Sequence, residues 1–133
     1  MLFNILRNTK PLISFPKTPF STIFGKIARK EIKADIVYED DKCLAFKDIN
    51  PQAPTHIVLI PKIEKIDHLN KVEKEDKELL GHLLYTAAQV AKQQNIDQSG
   101  WRLVINDGKH GQQTVNHLHL HIIGGRQLKW PPG

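Results

Sequence analysis

The sequence predicts one α+β domain. A single five-stranded antiparallel sheet carries a long helix on one face, with a short helix near the N-terminus. Three observations predict it. The chain has 133 residues, the size of one domain around one core. Apolar residues repeat at three-to-four spacing in only one long stretch, residues 73–95. Five short apolar runs bounded by Pro, Gly, Asp and Asn read as strands. Their order is short helix, three strands, long helix, two strands, and a helix segregated to one sheet face is an α+β layout.

Residues 1–20 (MLFNILRNTKPLISFPKTPF) are apolar and basic, with prolines at 11, 16 and 19. They read as a flexible tail with a short helical start. Their lack of acidic residues also fits an organellar transit peptide. The domain proper is expected at residues 21–133. Ser21 is the expected N-cap of the short helix, with Ile23, Phe24 and Ile27 along one side. Asp35–Asp48 reads as a hairpin, its strands Ile36–Tyr38 and Cys43–Phe46 flanking the acidic turn Glu39-Asp40-Asp41. Pro51 and Pro54 make the next segment a loop. His56–Ile60 is the third strand and stops at Pro61. These short connections favour antiparallel neighbours. In the long helix, Leu79, Leu80, Leu83, Leu84, Ala87, Val90 and Ala91 form an apolar stripe that Asn95 closes. Trp101–Ile105 is the fourth strand, residues 107–113 form a glycine-bearing loop, and residues 116–123 form the fifth strand.

Charge excludes one class of function. The net charge is +5, but residues 1–30 hold six of the 19 basic residues and no acidic ones. The remainder carries 13 basic against 14 acidic residues, so the domain is nearly neutral and offers no phosphate-tracking surface. No run approaches the roughly 20 apolar residues that span a bilayer. The single cysteine, Cys43, forms no intrachain disulfide, fits a reducing compartment and reads as a small buried apolar residue. A cytoplasmic location, with the nucleus also open to a chain of this kind, is the expectation.

The chemistry concentrates in Asn116-His-Leu-His-Leu-His-Ile122. His117, His119 and His121 are three of the seven histidines, and they alternate with Leu118, Leu120 and Ile122. On a strand, i, i+2 and i+4 share a face. The aliphatic face is expected to meet the core and the imidazole face to line an open groove. A metal held by all three rings is disfavoured, because the outer two lie about 13 Å apart along a strand and no cysteine or carboxylate on the strand completes the set. Acid–base or nucleophilic work on a phosphoryl group fits better, because a neutral imidazole can attack phosphorus and carry the group. The preceding loop suits an anion: Gly108 and Gly111 permit tight turns, Thr114 adds a hydroxyl, and Asn106 and Gln113 add amide donors. No Walker-type loop or acidic metal cluster is present. His68 and His82 read as surface or packing residues, and His110 as an undecided loop residue. His56 begins a strand, and Asp48 fits a turn or cap.

Gln113-Thr-Val-Asn-His-Leu-His-Leu-His-Ile-Ile123 resembles the histidine-triad pattern, in which three histidines alternate with apolar residues. Thr22-Ile-Phe-Gly-Lys-Ile27, Glu39-Asp-Asp-Lys-Cys-Leu-Ala-Phe46, Pro51-Gln-Ala-Pro-Thr-His56 and Gly124-Gly-Arg-Gln-Leu-Lys-Trp-Pro-Pro-Gly133 are similar to the Hint branch of that superfamily. The likeness runs from about residue 21 to the end. It implies the histidine-triad (HIT) fold, a homodimer whose sheets join into one ten-stranded sheet, and a metal-independent, cofactor-free purine nucleoside phosphoramidase. It also implies roles. His119 is the nucleophile, His121 contacts the phosphate, and His117 with His56 fixes the tautomer and orientation of the nucleophile. Thr114 stands where serine is commoner and keeps the hydroxyl. Asp48 binds the ribose, and Ile23, Phe24, Ile27, Phe46 and Ile49 sandwich the purine. Asn106 and the backbone of Gln112, Gln113 and Thr114 hold the phosphate, and Trp130 borders the leaving group from the partner subunit. Gln112 and Asn116 depart from the usual pattern and bear on substrate preference. Dinucleoside polyphosphate hydrolysis and a nucleotide-binding scaffold role are the alternatives, with a zinc-binding regulator the weakest; the Trp-Pro-Pro-Gly tail argues against the first.

Overall fold

The computed structural model describes residues 21–133, so the readings of residues 1–20 as tail or transit peptide lie outside the described residues. The elements are α1 (Ile23–Ala28), β1 (Ile36–Glu39), β2 (Cys43–Lys47), β3 (Thr55–Pro61), α2 (Lys77–Gln93), β4 (Trp101–Val104) and β5 (Leu120–Gly124). The strands form one antiparallel sheet in the order β1-β2-β3-β5-β4. No helix among the described residues is long and apolar enough to cross a membrane.

Each face of the sheet has its own core. Cys43, Ala45, Ile57, Leu59, Leu120 and Ile122 pack on one side with Leu83, Ala87, Val90 and Ala91 of α2. Leu44, Phe46, Val58 and Ile60 pack on the other side against Ile27 of α1. The alternation of β2 and β3 thus supplies both cores. Burying each large aliphatic side chain contributes roughly 1.5–3 kcal/mol.

Several boundaries differ from expectation for local reasons. The cap of α1 is Thr22, not Ser21: the Gly25 N–H donates to Thr22 Oγ1 at 3.1 Å. The long helix begins at Lys77, after a short 3-10 turn at Lys74–Asp76. The Asp76 carboxylate holds that turn by accepting the Glu73 N–H at 2.8 Å. Asn95 sits just past the helix at φ 59°, the left-handed position that ends helices. Leu84 leaves the buried stripe and is 53% exposed.

The largest difference lies at β5, which starts at Leu120 rather than residue 116. Its neighbour β3 ends at Pro61, which has no N–H with which to continue the ladder. The Leu118 N–H donates instead to the Ile66 carbonyl at 3.0 Å. His117 and His119 therefore precede the strand, and both are buried.

Candidate active site

Leu118, Leu120 and Ile122 meet the α2 core as expected. The imidazoles do not line an open groove. His117 is 1% and His119 3% exposed, whereas His121 is half-buried. Phe24 of α1 closes over them, its ring 4.9 Å from that of His119 and edge-on. The His119 and His121 rings stand 5.0 Å apart.

Hydrogen bonds assign a different job to each nitrogen. His119 Nδ1 lies 2.7 Å from the His117 carbonyl. A carbonyl only accepts, so Nδ1 carries the proton and Nε2 keeps its lone pair. His117 Nε2 donates to the Pro61 carbonyl at 2.9 Å, which consumes the acceptor left idle where the ladder stops. His117 was expected, with His56, to fix the tautomer and orientation of His119; the bond to His119 Nδ1 comes from the His117 backbone oxygen, and the His117 ring anchors that backbone.

His56 serves His121, not His119. The Gln52 N–H donates to His56 Nδ1 at 3.0 Å, so His56 carries its proton on Nε2. That atom lies 2.9 Å from His121 Nδ1 and 3.4 Å from Asp48 Oδ2. His121 Nδ1 is thus the acceptor, and a neutral His121 bears its proton on Nε2. The result is one imidazole with a free lone pair beside another with a free N–H.

All four rings are held neutral near pH 7. Burial depresses the pKa of His117, of His119 and of His56, where the Asp48 charge opposes it. Burial, reinforced by His119 and His56, lowers His121 from 6.5 to about 4. Because these folded-state values lie below the ordinary one, the unfolded chain takes up protons first on acidification. The stability tied to neutral rings is present above pH 6.5 and is lost as pH falls toward 4. A melting-temperature series across that window is expected to decline steadily toward acid, and a flat series would contradict it.

An apolar cavity of about 450 Å³, with no histidine in its lining, opens beside Phe24 and Asp48, which border His119 and His56. Ile23, Phe24, Ile27, Phe46 and Ile49 all line it, and Asp48 borders it. Those six residues come from α1, the end of β2 and the loop after it. Val58, which faces the same way from β3, also lines the wall, and the alternation of His56 and Val58 in the sequence already put them on one face. A second cavity, about 480 Å³, runs from Ser99–Arg102 to Gly125–Leu128, and it too is lined by no histidine.

The loop before the triad is built differently from expectation. Gly108 takes φ 73° and Gln112 φ 64°. A Cβ on Gly111 would meet the Asp107 carbonyl oxygen at 2.6 Å, so only glycine fits that close approach. The N–H groups expected to face the phosphate are partly spent. Gln112 donates to Lys109 O at 3.1 Å and Gln113 to Gly108 O at 3.0 Å, because the tight turn closes on itself.

The Gln113 amide is not a free donor either. Its Nε2 donates to Asp67 O at 2.6 Å and Val115 O at 3.0 Å. Its Oε1 accepts the Gly108 N–H at 2.9 Å and lies 2.7 Å from His68 Nδ1. Every hydrogen-bonding position of the amide is used, so Gln113 and His68 pin the loop to the 67–68 segment. Thr114 remains exposed beside the rings in sequence, and Asn106 is half-buried. The pairing of β4 with β5 ends at Val104 and His121, two residues before Asn106. Trp130 is 80% exposed and far along the C-terminal tail. Asp48, His56 and His121 each offer a ligating atom within 4.8 Å of the others, so this corner has the nitrogen and oxygen donors to hold a divalent ion, without a thiolate.

Many known proteins are similar to this chain in sequence and fold. The family model described as the HIT domain matches residues 29–128. A 14 kDa zinc-binding protein of Brassica juncea is 58% identical over 113 residues, 84% of this chain and 99% of that protein. Adenylylsulfatase HINT1 of Arabidopsis thaliana is 56% identical over 113 residues, 84% of this chain and 76% of that protein. A HIT family hydrolase from Legionella pneumophila Philadelphia 1 superposes with a TM-score of 0.82 at 49% identity, covering 84% of this chain and 98% of that one. With the alternating histidines, the sheet order and the nitrogen roles in place, the chain belongs to the HIT family, in its Hint-like branch.

Proposed function

We propose that the protein is a purine nucleoside phosphoramidase, hydrolysing the P–N bond of adenosine or guanosine 5′-phosphoramidates without a metal. One observation carries the reading: His119 is locked by its Nδ1–H bond to the His117 carbonyl at 2.7 Å, leaving a neutral Nε2 lone pair beside a proton-bearing His121. The names of the relatives support attack at a nucleotidyl group by water, since one is an adenylylsulfatase and another a hydrolase.

The purine enters the 450 Å³ apolar cavity, and Asp48 at its border accepts from the ribose hydroxyls. His119 Nε2 attacks phosphorus, and the P–N bond breaks as its electron pair leaves on nitrogen. That nitrogen takes the proton of the Thr114 hydroxyl, which is replaced from solvent, and departs as the amine; the proton that water loses in the second step returns to solvent. His121 Nε2–H donates to a phosphoryl oxygen as charge builds there. Water then attacks the nucleotidyl-His119 bond, losing a proton, releasing the nucleoside monophosphate and restoring the imidazole. Asn106 and the Thr114 backbone hold the phosphate.

The assembly expected is a homodimer through β4, an outer strand of the sheet whose unpaired backbone can continue the ladder into a second copy. Arg102 on β4 donates to the Lys129 carbonyl at 2.7 Å, so the tail leaves along that edge with Trp130 free to reach the partner's site.

Turnover of an alkylamine adenosine phosphoramidate should exceed that of diadenosine polyphosphates and of adenylyl sulfate, and should survive a chelator unchanged. Preference for either other substrate, or loss of rate on chelation, would overturn the assignment.

A further inference from the structure

A second cluster of reactive side chains lies on the other face of the sheet, where the β1–β2 turn meets α2. Asp40 comes from the turn, Cys43 opens β2, and His82 stands on the second turn of α2. Each presents one ligating atom, and the three atoms lie within 4.8 Å of one another. We propose that Asp40, Cys43 and His82 bind a borderline-soft divalent cation of the zinc type, at a site separate from the phosphoryl-transfer centre.

The donor set argues for the class of ion. One sulfur, one imidazole nitrogen and one carboxylate oxygen is a combination zinc accepts in four-coordinate sites, and thiolate selects against magnesium and calcium. Zinc bonds of about 2.0–2.3 Å place ligand atoms roughly 3.5 Å apart. His82 Nε2 and Asp40 Oδ2 now stand at 2.7 Å, joined by a shared proton, and must part by less than an ångström.

The surroundings argue for a built site. The Lys42 and Cys43 N–H groups both donate to Asp40 Oδ1 at 2.8 Å, which aims Oδ2 at the cluster. The Tyr38 hydroxyl donates to that same Oδ2 at 2.8 Å, the kind of outer hydrogen bond that orients a ligating carboxylate. Buried Thr86 brings its hydroxyl to 3.5 Å from His82 Nε2 and 3.9 Å from Cys43 Sγ, near a fourth position. The side chains of His82 and Asp40 are 29% and 21% exposed, which leaves an entry path.

Protons balance simply. Burial, helped by Asp40, pushes the Cys43 thiol up to about 12. The free thiol keeps its proton, and coordination releases it to solvent. His82 gives up the Nε2 proton that it shares with Asp40, which frees that nitrogen for the ion. Burial raises Asp40, but hydrogen bonds from Lys42, Tyr38, His82 and Cys43 outweigh it and hold the carboxyl well below its ordinary range. The carboxylate is ready for an ion. The Asp48, His56 and His121 corner lacks a thiolate, so a zinc-type ion partitions to Cys43.

The test is a Co²⁺ titration of the full chain after chelator treatment, with Zn²⁺ as competitor. The wild type should show thiolate-to-cobalt charge-transfer absorption that Zn²⁺ removes. Cys43→Ser should lose the band. His82→Gln alters only a partly exposed side chain and keeps the test valid should the buried serine impair folding. It should weaken binding roughly tenfold or more. His56→Ala should leave both band and affinity intact. A wild type without the band overturns the site, as does unchanged affinity in His82→Gln, or binding that depends on His56 instead.

Discussion

His119→Ala is expected to bind purine nucleotide as the wild type does while hydrolysing its phosphoramidate roughly four orders of magnitude more slowly. That loss corresponds to about 5.5 kcal/mol of transition-state stabilisation. The reasoning is that the Nδ1–H bond of His119 to the His117 carbonyl leaves its Nε2 lone pair outside any hydrogen bond. His117 Nε2 is engaged with Pro61 O at 2.9 Å, and His121 Nδ1 with His56 at 2.9 Å. In the proposed function, binding rests on other groups, namely the apolar cavity and Asp48. Calorimetry with the nucleoside monophosphate and single-turnover rates separate the two effects. Turnover within tenfold of wild type would remove His119 from the nucleophile's role.

The alternation of histidine with leucine made the chemistry legible in the sequence, because strand spacing divides the segment into an aliphatic and an imidazole face. That division holds: Leu118, Leu120 and Ile122 are buried in the α2 core. Periodicity could not show where the ladder stops. The missing N–H of Pro61, 60 residues before His121, ends the pairing, and the Leu118 N–H turns to the Ile66 carbonyl instead. Long-range partners were equally invisible, so His56 was paired in expectation with His119 when its ring meets His121 at 2.9 Å. Gln113 looked like a spare amide because two of its four partners, Asp67 and His68, lie on a segment distant in sequence. Cys43 and His82, each bland alone, become notable only when the sheet and α2 bring them together. The cavity residues Ile23, Phe24, Ile27, Phe46 and Ile49 came from family resemblance, and the structure gathers them around one space.

The second large effect is expected at His117, and it is one of position rather than chemistry. Its ring is 1% exposed and edge-on to Phe24 at 6.3 Å. Removing it in His117→Ala leaves a cavity and orphans the Pro61 carbonyl. The variant should lose about 3 kcal/mol of stability, the sum expected from deleting a buried ring and a buried hydrogen bond, read from urea unfolding. The carbonyl of residue 117 survives the substitution, so His119 keeps a partner for Nδ1, but on a backbone no longer pinned at Pro61. A displacement near 1 Å at a reacting group costs about 100-fold. Turnover by the folded fraction should therefore fall by about that factor, well short of the His119→Ala loss. Nitrogen chemical shifts of His119 provide the readout that a merely destabilised protein would not move. They should show the Nδ1–H tautomer giving way to a mixture. A His117→Ala enzyme as slow as His119→Ala, with the His119 tautomer unchanged, would instead place the His117 ring in the chemical step.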